Sequence, residues 1–414
     1  MTAIGRCVLV AGMLFVASLT AQGQGESQNP AFLDRALSQS DGDVTITVAV
    51  PSGSETQELF GVPLYKRKIQ PVWLDITNNR ESAITFLPLG LDPRYFTPIE
   101  SALLGSGGAG KADLTIRKFF FDRKINMYIE PGENRSGFMF TQLQEGTKSF
   151  NVDVYTAEDQ IVNFTFFVPV PGLRLDHHDV DWDKLYPAGE IRELEKDELI
   201  EALRAMPCCT TDKKTEGTGD PLNLVVIGSV KDVYYAFIRA GWDETEVIGR
   251  SSLTKMAKSF VTGSEYRYSP VSGLYVFGRP QDVALQKARD SINERNHLRL
   301  WMLPMRFEGV PVWIGQISRD IGVRFTTKTI TTHKVDPDLD ETREFLVENL
   351  AYSQALAKLG YVVGVGAASL DAPRGNLTGD PYFTDGKRVV LWISSQPKDF
   401  DDIEDLDWDA QPLR

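Results

Sequence analysis

The sequence predicts an α+β protein, with an N-terminal all-β sandwich followed by a second domain built on a mixed α/β sheet. Three observations support this fold class. Short segments of alternating hydrophobic and polar residues fill the region 43–172, and continuous apolar runs separated by helical patterns occur from residue 220 onward. The length of 414 residues exceeds one typical core, and 42% hydrophobic with 24% charged residues is typical of a folded protein.

The N-terminal segment has the pattern of a secretory signal peptide. Arg6 supplies a positive charge, residues 7–19 are apolar, and small residues follow up to Gly25. We expect residues 1–23 to be cleaved. A retained anchor is the alternative, but the apolar run is shorter than the roughly 20 residues needed to span a bilayer. No later segment reaches that length, so we expect an exported mature chain without a transmembrane segment, periplasmic or extracellular, in a bacterial envelope.

The region 43–172 is predicted to form the β-sandwich, because its hydrophobic residues recur with period two. The recurring positions include Val44, Ile46, Val48, Val72, Leu74, Ile76, Phe150, Val152 and Val154. Short alternating strands between turn residues favour an immunoglobulin-like topology, although no Cys–Trp–Cys pattern is present. Residues 24–42 are polar and are expected to be a tether.

The second domain is predicted to span residues 220–396, after an acidic helical connection at 173–219. Its order of strand, helix, two strands, helix and strand is that of a ferredoxin-like βαββαβ unit with insertions. The second helix is expected to have Asp336 as its N-cap, Pro337 at its first position and Gly360 just past its end. Residues 397–414 are strongly acidic and are expected to be a solvated tail.

The net charge of −13 limits the class of partner. Nucleic-acid binding requires clustered Lys and Arg side chains that replace counterions, and acidic residues outnumber basic ones here by 57 to 44. We therefore expect no nucleic-acid partner. An envelope protein or a small-molecule ligand fits the composition better.

Two adjacent cysteines, Cys208 and Cys209, remain once the signal peptide is removed. Neighbouring cysteines can form a disulfide only through an eight-membered ring. A vicinal disulfide, an intermolecular or redox role, and two structural thiols are all open alternatives. Two thiolates without further soft ligands do not indicate zinc.

A predicted hairpin over residues 297–320 carries the most informative polar residues. With Glu308-Gly309 as its two-residue turn, opposite positions follow from the sequence numbers. The expected opposite pairs are His297 with Asp320, Arg299 with Ser318, and Trp301 with Gln316. Alternation places all six on one face. A histidine beside a carboxylate can act as a base or a metal ligand, whereas a buried polar face is the simpler alternative.

A second candidate group begins at His333, just before the expected helix start. Asp336 alone is explained as a cap, and Asp340 and Arg343 are spaced to pair on one helical face. Helix chemistry does not explain His333. If this loop lies at an end of the hairpin, His333 and His297 converge.

Three other motifs lack what their chemistry needs. The glycine-rich stretch 105–111 resembles a phosphate-binding loop, but Ala112 stands where the magnesium-binding hydroxyl belongs. The run 176–183 carries metal-capable side chains in a polar connection with no scaffold. The calcium-loop pattern at 336–347 lacks the glycine and glutamate of an EF-hand, because Glu341 and Val347 occupy those positions.

Several stretches together resemble the LssY C-terminal domain family. The stretches that carry the resemblance are Pro207-Cys208-Cys209-Thr210-Thr211, residues 220–228, Ala240-Gly241-Trp242, residues 278–282, residues 295–301, Trp313-Ile314-Gly315, and His333-Lys334-Val335-Asp336 with Asp340 and Arg343. The resemblance covers roughly residues 195–395 and implies an envelope context. Asn296 stands where the family's motif often has a second histidine, so the resemblance implies no role for a histidine at that position. The resemblance also implies no particular activity.

These observations favour an envelope protein that binds a ligand or a protein partner. The residues that we expect at its binding site are Arg299, Trp301, Asp336, Asp340 and Arg343. The alternative is a hydrolase of phosphoesters or lipid-linked phosphates. The hydrolase would use His297 and His333 as bases or metal ligands, with Asp320 to orient them and Arg299 or Arg343 to hold the anion. The sequence identifies neither a cofactor nor a metal, and it does not establish that the protein is an enzyme.

Overall fold

The computed structural model describes residues 30–108, 112–173, 175, 177, 180–245, 273–288, 295–324 and 332–409. The predicted signal peptide lies outside these residues. Strands, in several sheets, account for 41% of the described residues and helices for 24%, which confirms the mixed α+β class. No helix in the described ranges combines the length and the hydrophobicity that crossing a bilayer requires.

The N-terminal domain is a pair of four-stranded antiparallel sheets. Its strands are β1 (Leu37–Ser40), β2 (Val44–Ala49), β3 (Ile69–Asn78), β4 (Ile84–Leu87), β5 (Tyr128–Ile129), β6 (Asn134–Gln142), β7 (Gly146–Tyr155) and β8 (Ile161–Val170). One sheet has the order β1-β2-β3-β6 and the other β5-β4-β7-β8. The alternating hydrophobic residues of both sheets form one core between them, as the period-two pattern predicts.

Four helices connect these strands. They are α1 (Gly53–Phe60), α2 (Pro88–Leu91), α3 (Pro98–Gly105) and α4 (Leu114–Asp122). Helices α1, α3 and α4 share a smaller, phenylalanine-rich core with one face of the first sheet. The expected immunoglobulin-like topology is not confirmed by this arrangement.

The expected tether does not extend to residue 42. A short 3₁₀ helix, Ala31–Arg35, buries Phe32 against the sheet, and β1 pairs with β2 from Leu37 to Ser40. The polar residues of β1 are consistent with its exposed position at the sheet edge. Composition alone suggested a linker, because an edge strand buries little and therefore needs few hydrophobic residues.

The C-terminal domain is organised around one large sheet. Its strands and those of two small sheets are β9 (Arg192–Glu193), β10 (Cys209–Thr211), β11 (Thr218–Pro221), β12 (Leu224–Ile227), β13 (Asp243–Glu244), β14 (Tyr275–Val276), β15 (Arg279–Pro280), β16 (Val283–Ala288), β17 (Arg295–Phe307), β18 (Val310–Arg324), β19 (Thr332–Val335), β20 (Leu356–Val363), β21 (Arg374–Gly375), β22 (Pro381–Tyr382), β23 (Lys387–Ile393) and β24 (Glu404–Asp405). The large sheet runs β13-β16-β17-β18-β12-β23-β20-β24, with β19 added to β18 and β9 to β17.

The ferredoxin-like order is not confirmed. Strand β12 pairs antiparallel with β18 and parallel with β23. Strands β13, β16, β20 and β24 extend the sheet beyond a four-stranded unit. Strands β13 and β16 lie between the first helix and the hairpin, β20 begins inside the segment predicted to be helical up to Gly360, and β24 lies in the expected acidic tail.

Helices cover both faces of the large sheet. They are α5 (Lys196–Arg204), α6 (Val230–Arg239) and α7 (Leu339–Tyr352). Helices α6 and α7 pack with Leu298, Leu300 and Ile317 on one face. Helix α5 and strand β14 pack with Trp301 and Ile314 on the other. The expected acidic connection is therefore partly domain core, because Leu199 and Leu203 of α5 are fully buried.

Helix α7 differs from its prediction at both ends. Its N-cap is Asp338, whose side chain accepts the Glu341 N–H, so Asp336 lies two residues outside. The helix ends at Tyr352, and Gly360 belongs to β20. Gly360 has another role there, because a Cβ at this position would lie 2.8 Å from the Cβ of Leu406.

The acidic tail is not wholly solvated. Strand β24 pairs in parallel with Lys358 and Leu359 of β20. The Leu406 and Asp409 N–H groups donate to carbonyls of the same strand, and Asp409 pairs with Arg204 at 2.6 Å. The apolar side chains of Leu406 and Trp408 pack on the core beside α5. The sequence analysis missed them because carboxylates dominate the composition of this segment.

The two domains share a buried contact. Phe167 of β8 stacks on Tyr235 of α6, with ring centroids 3.5 Å apart. Glu244 of β13 accepts two hydrogen bonds from Thr147 of β7, from the N–H at 2.7 Å and from Oγ1 at 2.6 Å. His177 Nε2 lies 3.4 Å from the same carboxylate. Burial raises the pKa of Glu244 to about 7, against the lowering effect of the Thr147 hydrogen bonds.

We expect Glu244→Gln to remove a pH dependence of stability. A carboxyl whose folded pKa lies above its ordinary 4.5 stabilises the fold fully below pH 4.5, and that contribution is lost as the pH rises through 7. Gln keeps an acceptor for Thr147 and carries no charge. Denaturant unfolding should therefore show the variant about 1–3 kcal/mol more stable than the parent at pH 8, and not at pH 5. Glu348→Gln, on the exposed surface of α7, is the control, and an equal gain there or at both pH values would contradict the prediction.

Candidate functional site

Strands β17 and β18 form the predicted hairpin. Glu308 and Gly309 have φ of 50° and 75°, as a two-residue type I′ turn requires, and Phe307 pairs with Val310 as expected. An irregularity between residues 302 and 306 then shifts the register by two. The observed opposite pairs are His297 with Ser318, Arg299 with Gln316, and Trp301 with Ile314. The expected pairs were wrong in register, but a shift of two preserves the face.

Six polar residues of the hairpin lie together on the face that also carries α5. They are Arg295, His297, Arg299, Gln316, Ser318 and Asp320, here termed the hairpin cluster. All six are buried. Their positions at every second residue of two neighbouring strands bring them together. A group of buried charges of this size is costly unless its members are paired.

The inner end of the hairpin cluster is an ionic group. His297 Nε2 lies 2.5 Å from Asp320 Oδ2, and Arg295 Nε lies 3.7 Å from the same oxygen. Arg295 also donates to Gln286 Oε1 at 2.5 Å. Burial, reinforced by the Arg295 and Arg299 charges, lowers the pKa of His297 to about 4, although Asp320 opposes this. His297 is therefore neutral at pH 7.

The outer end of the cluster reaches a second segment of the chain. Arg299 donates to Gln316 Oε1 at 2.9 Å, and Gln316 Nε2 donates to Ser318 Oγ at 2.8 Å. Gln316 Nε2 also lies 3.5 Å from Asp220 Oδ2 of β11, and Asn376 donates to Asp220 Oδ1 at 2.8 Å. Burial raises the pKa of Asp220, while the Asn376 hydrogen bond and Arg299 lower it.

Asp220 and Asn376 are only half-buried, unlike the hairpin cluster. They therefore mark the side on which the cluster lies closest to solvent. Sequence analysis missed both residues as site members. Asp220 stands in a stretch quoted for the family resemblance, but nothing local indicates that residues 220, 316 and 376 meet.

A loop with Asn376 and Leu377 covers this side, and residues 374–382 are here termed the strap. Leu377 packs on Gly217 and Gly219, where an added Cβ would lie 2.3 Å and 3.2 Å from its methyl carbons. Asn376 Oδ1 accepts the N–H groups of Thr378 and Asp380, which fixes the turn. The glycines thus leave the space that lets the strap lie against β11.

We expect Leu377→Ala to loosen the strap. Loss of a partly buried isobutyl group removes about 1 kcal/mol of apolar contact. Amide hydrogens of residues 376–380 should then exchange roughly fivefold faster in hydrogen–deuterium exchange. Leu370→Ala is the matched control, because Leu370 precedes the strap and is 70% exposed. Unchanged exchange in Leu377→Ala, or equal acceleration in both variants, would refute the role of Leu377.

Trp301 lies on the same face but belongs to the hydrophobic core. It is buried between α5 and the hairpin, and its Nε1–H donates to the Arg279 carbonyl at 3.2 Å. These contacts anchor the hairpin to the β14–β15 turn.

Asp336, Asp340 and Arg343 have internal partners. Arg343 is fully buried and pairs with Asp340 at 3.2 Å, as the spacing predicts, and with Asp385 at 2.8 Å. Asp340 also accepts the Thr384 hydroxyl and the Asp385 N–H, each at 2.7 Å. Asp336 accepts the Asp338 N–H. These contacts fasten α7 to the turn before β23.

His333 is placed only by its backbone. It stands in β19, opposite Val323 near the end of β18. Its side chain lies outside the described part of the structure. The expected convergence of the His333 and His297 side chains therefore stays a prediction.

Cys208 and Cys209 form a disulfide with each other, the first of the three alternatives. It lies between α5 and β10, and Cys209 pairs with Pro221, the neighbour of Asp220. Cys209 Sγ lies 3.8 Å from the Tyr382 hydroxyl at the end of the strap. Arg388 donates to the Leu203, Met206 and Pro207 carbonyls at the adjoining end of α5. The disulfide therefore lies at the border of the candidate site.

The described residues contain no group of three or more His, Cys, Asp or Glu side chains arranged to hold a metal ion. Within the hairpin cluster, His297 and Asp320 are the two possible metal ligands, and the guanidinium groups of Arg295 and Arg299 lie near them. This environment repels a cation and attracts an anion.

One comparison with known proteins matches the C-terminal domain. The family model described as LssY C-terminus matches residues 201–387. This range contains the hairpin cluster, Asp220, the disulfide and the strap. The comparison with curated proteins gives no match.

Proposed function

Since residues 201–387 belong to the LssY C-terminal domain family, we propose that the chain is an exported envelope protein whose C-terminal domain binds an anionic ligand at the hairpin cluster. The observation that carries the proposal is the burial of Arg295 and Arg299 on one face of β17, with His297 between them. Guanidinium groups held in a site of low dielectric recognise phosphate and carboxylate groups strongly.

The charge of the cluster supports this ligand class. Asp320 is shared between His297 and Arg295, and Asp220 faces Arg299. Three basic side chains, Arg295, His297 and Arg299, thus lie on one face of β17. An anion at this face would meet two guanidinium groups, which recognise phosphate and carboxylate oxygens.

The strap provides the route of entry. Movement of Leu377 away from Gly217 and Gly219 would break the Asn376–Asp220 hydrogen bond and expose Asp220, Gln316 and Arg299 in turn. The chain would thus bind its ligand from the half-buried end of the cluster. The deep His297–Asp320 pair would hold Arg295 in place.

Anion titration tests the proposal. Inorganic phosphate and succinate, each compared with chloride at equal ionic strength, should raise the thermal midpoint of the whole chain in a saturable way. We expect Arg299→Met to abolish this shift and Arg299→Lys to weaken it. The control is Arg239→Met on the surface of α6, which should leave the shift intact. No saturable shift with either anion, or a shift that persists in Arg299→Met, would exclude an anion site here.

A hydrolase is the second candidate, favoured by the 2.5 Å contact between His297 and Asp320. A carboxylate that orients an imidazole is the arrangement of a general base. Burial with a pKa near 4 makes His297 a weak base in this conformation, so we rank binding first. Turnover of p-nitrophenyl phosphate that is lost in a folded His297→Ala variant would reverse the order, as would stoichiometric zinc or manganese lost in the same variant.

Export has its own test. Fractionation of the source cells, followed by N-terminal sequencing of the recovered protein, should give a start near residue 24. A protein recovered from the cytoplasm with residues 1–23 attached would contradict the envelope assignment.

A further inference from the structure

The outer face of α4 combines large apolar side chains with cations. Leu114 is 80% and Phe121 51% exposed, although both are large hydrophobic residues. Residues 114, 117, 118 and 121 lie on one side of a helix because they are three or four positions apart. That side therefore carries Arg117 and Lys118 between Leu114 and Phe121. The opposite side packs Ile116 and Phe120 into the phenylalanine-rich core.

The cations extend just past the end of the helix. Lys124 Nζ lies 4.7 Å from the centroid of the Phe121 ring, and Arg123 lies over the ring of Phe119 at 3.5 Å. Residues 113–124 thus contain four cations and two carboxylates, in a chain whose net charge is −13. Lys118 pairs with one of those carboxylates, Asp122. The surface formed by Leu114, Arg117, Lys118, Phe121 and Lys124 is here termed the α4 face.

Another exposed aromatic pair lies among charges of the opposite sign. Tyr352, which is 80% exposed, lies against Phe400 with ring centroids 5.9 Å apart. Its surroundings include Asp399, Asp401 and Asp402 of the acidic segment. That pair is exposed among carboxylates, whereas the α4 face is exposed among cations.

We infer that the α4 face docks on an anionic lipid surface. Leu114 and Phe121 would enter the interface between headgroups and acyl chains, while Arg117, Lys118 and Lys124 would contact the phosphates. Long cationic side chains suit this position, because their methylene groups can lie in the apolar layer with the charge at its surface. The inference is independent of the anion site proposed for the C-terminal domain.

Vesicle sedimentation tests the docking with the complete chain. We expect binding to phosphatidylcholine vesicles that contain about one third phosphatidylglycerol, and much weaker binding to phosphatidylcholine alone. The triple variant Arg117→Gln, Lys118→Gln, Lys124→Gln should bind the anionic vesicles on the order of 100-fold less, since each cation near such a surface contributes about fivefold. Sodium chloride at 0.5 M should produce a similar loss in the parent.

Two further variants separate the apolar contribution from the cationic one. Phe121→Asp should reduce binding at least tenfold, whereas Tyr352→Asp, at a more exposed aromatic residue among carboxylates, should have no effect. Circular dichroism confirms that each variant is folded. The N-terminal apolar segment is the same in every arm, so it cannot create differences between variants. Equal binding of parent and triple variant, equal binding to both lipid compositions, or no binding of the parent would each overturn the inference.

Discussion

Replacement of Arg343 by Met should destabilise the protein by about 3–5 kcal/mol. Arg343 is buried and contacts the carboxylates of Asp340, Glu344 and Asp385 at 2.8–3.2 Å. Removal of the guanidinium leaves three carboxylates near one another without their cation. Met keeps the unbranched stem of Arg as far as the Nε position, so the effect measures the loss of the guanidinium with its charge and hydrogen bonds more than a cavity along the stem.

The pH dependence of the loss identifies its cause. Arg343 lowers the pKa of Asp385 against the raising effect of burial, so this stabilisation is present at neutral pH and lost as the pH falls through the range of that carboxyl. The ordinary pKa of an aspartate is 3.8, so the difference between Arg343→Met and the parent should be smaller at about pH 2.5 than at pH 7 in urea unfolding. Arg204→Met, at more exposed ion pairs with Glu201 and Asp409, should cost far less than Arg343→Met. A loss at Arg343 as small as the loss at Arg204, or a loss that does not change with pH, would show that charge does not stabilise the contacts of Arg343 with its carboxylates.

The second large effect is expected at Asp320. Asp320→Asn should destabilise the C-terminal domain by about 3–5 kcal/mol, because it removes the negative charge between His297 and Arg295 while keeping the side-chain shape. Ser318→Ala, next to it on the same face, removes one neutral hydrogen bond and should cost about 1 kcal/mol.

The same variant links stability to the proposed site. If the cluster accepts an anion, saturating phosphate should restore part of the stability that Asp320→Asn loses, and restore none in a double variant with Arg299→Met. Chemical denaturation with and without phosphate measures both quantities. An Asp320→Asn protein as stable as the parent would mean that the cluster does not depend on its central carboxylate.

The hairpin shows what could be predicted from sequence and what could not. Glu308-Gly309 identifies its own turn, because few residues adopt two successive positive φ angles. Alternation then assigns His297 and Asp320 to one face. The irregularity between residues 302 and 306 leaves no local signal, so the opposite pairs were wrong by two. An even shift keeps each side chain on its face, so five of the six cluster residues were predicted correctly although the register was wrong. The sixth, Arg295, precedes the predicted hairpin and was missed.

Local sequence patterns could not predict which residues meet at the outer end of the cluster. Asp220, Gln316 and Asn376 are about 60 to 160 residues apart in sequence, and only the sheet order brings them together. Helix α7 shows a related limit. Both Asp336 and Asp338 can cap a helix, and the contacts of Asp340 and Arg343 with the turn before β23 accompany the observed start. Gly360 was predicted to follow a helix end, which is a common position for glycine. Its observed role, the close approach of Leu406, is a tertiary contact that the local sequence does not reveal.

The segment 404–409 has a consequence for self-association. Strand β20 would otherwise present open N–H and C=O groups along eight residues at the margin of the large sheet, a template on which strands of other molecules can add. Glu404, Asp405, Leu406 and Asp409 occupy those groups from Lys358 to Val363. Their carboxylates also surround the covered margin with negative charge. We therefore expect residues 404–409 to disfavour the addition of a strand from a second molecule at this sheet edge.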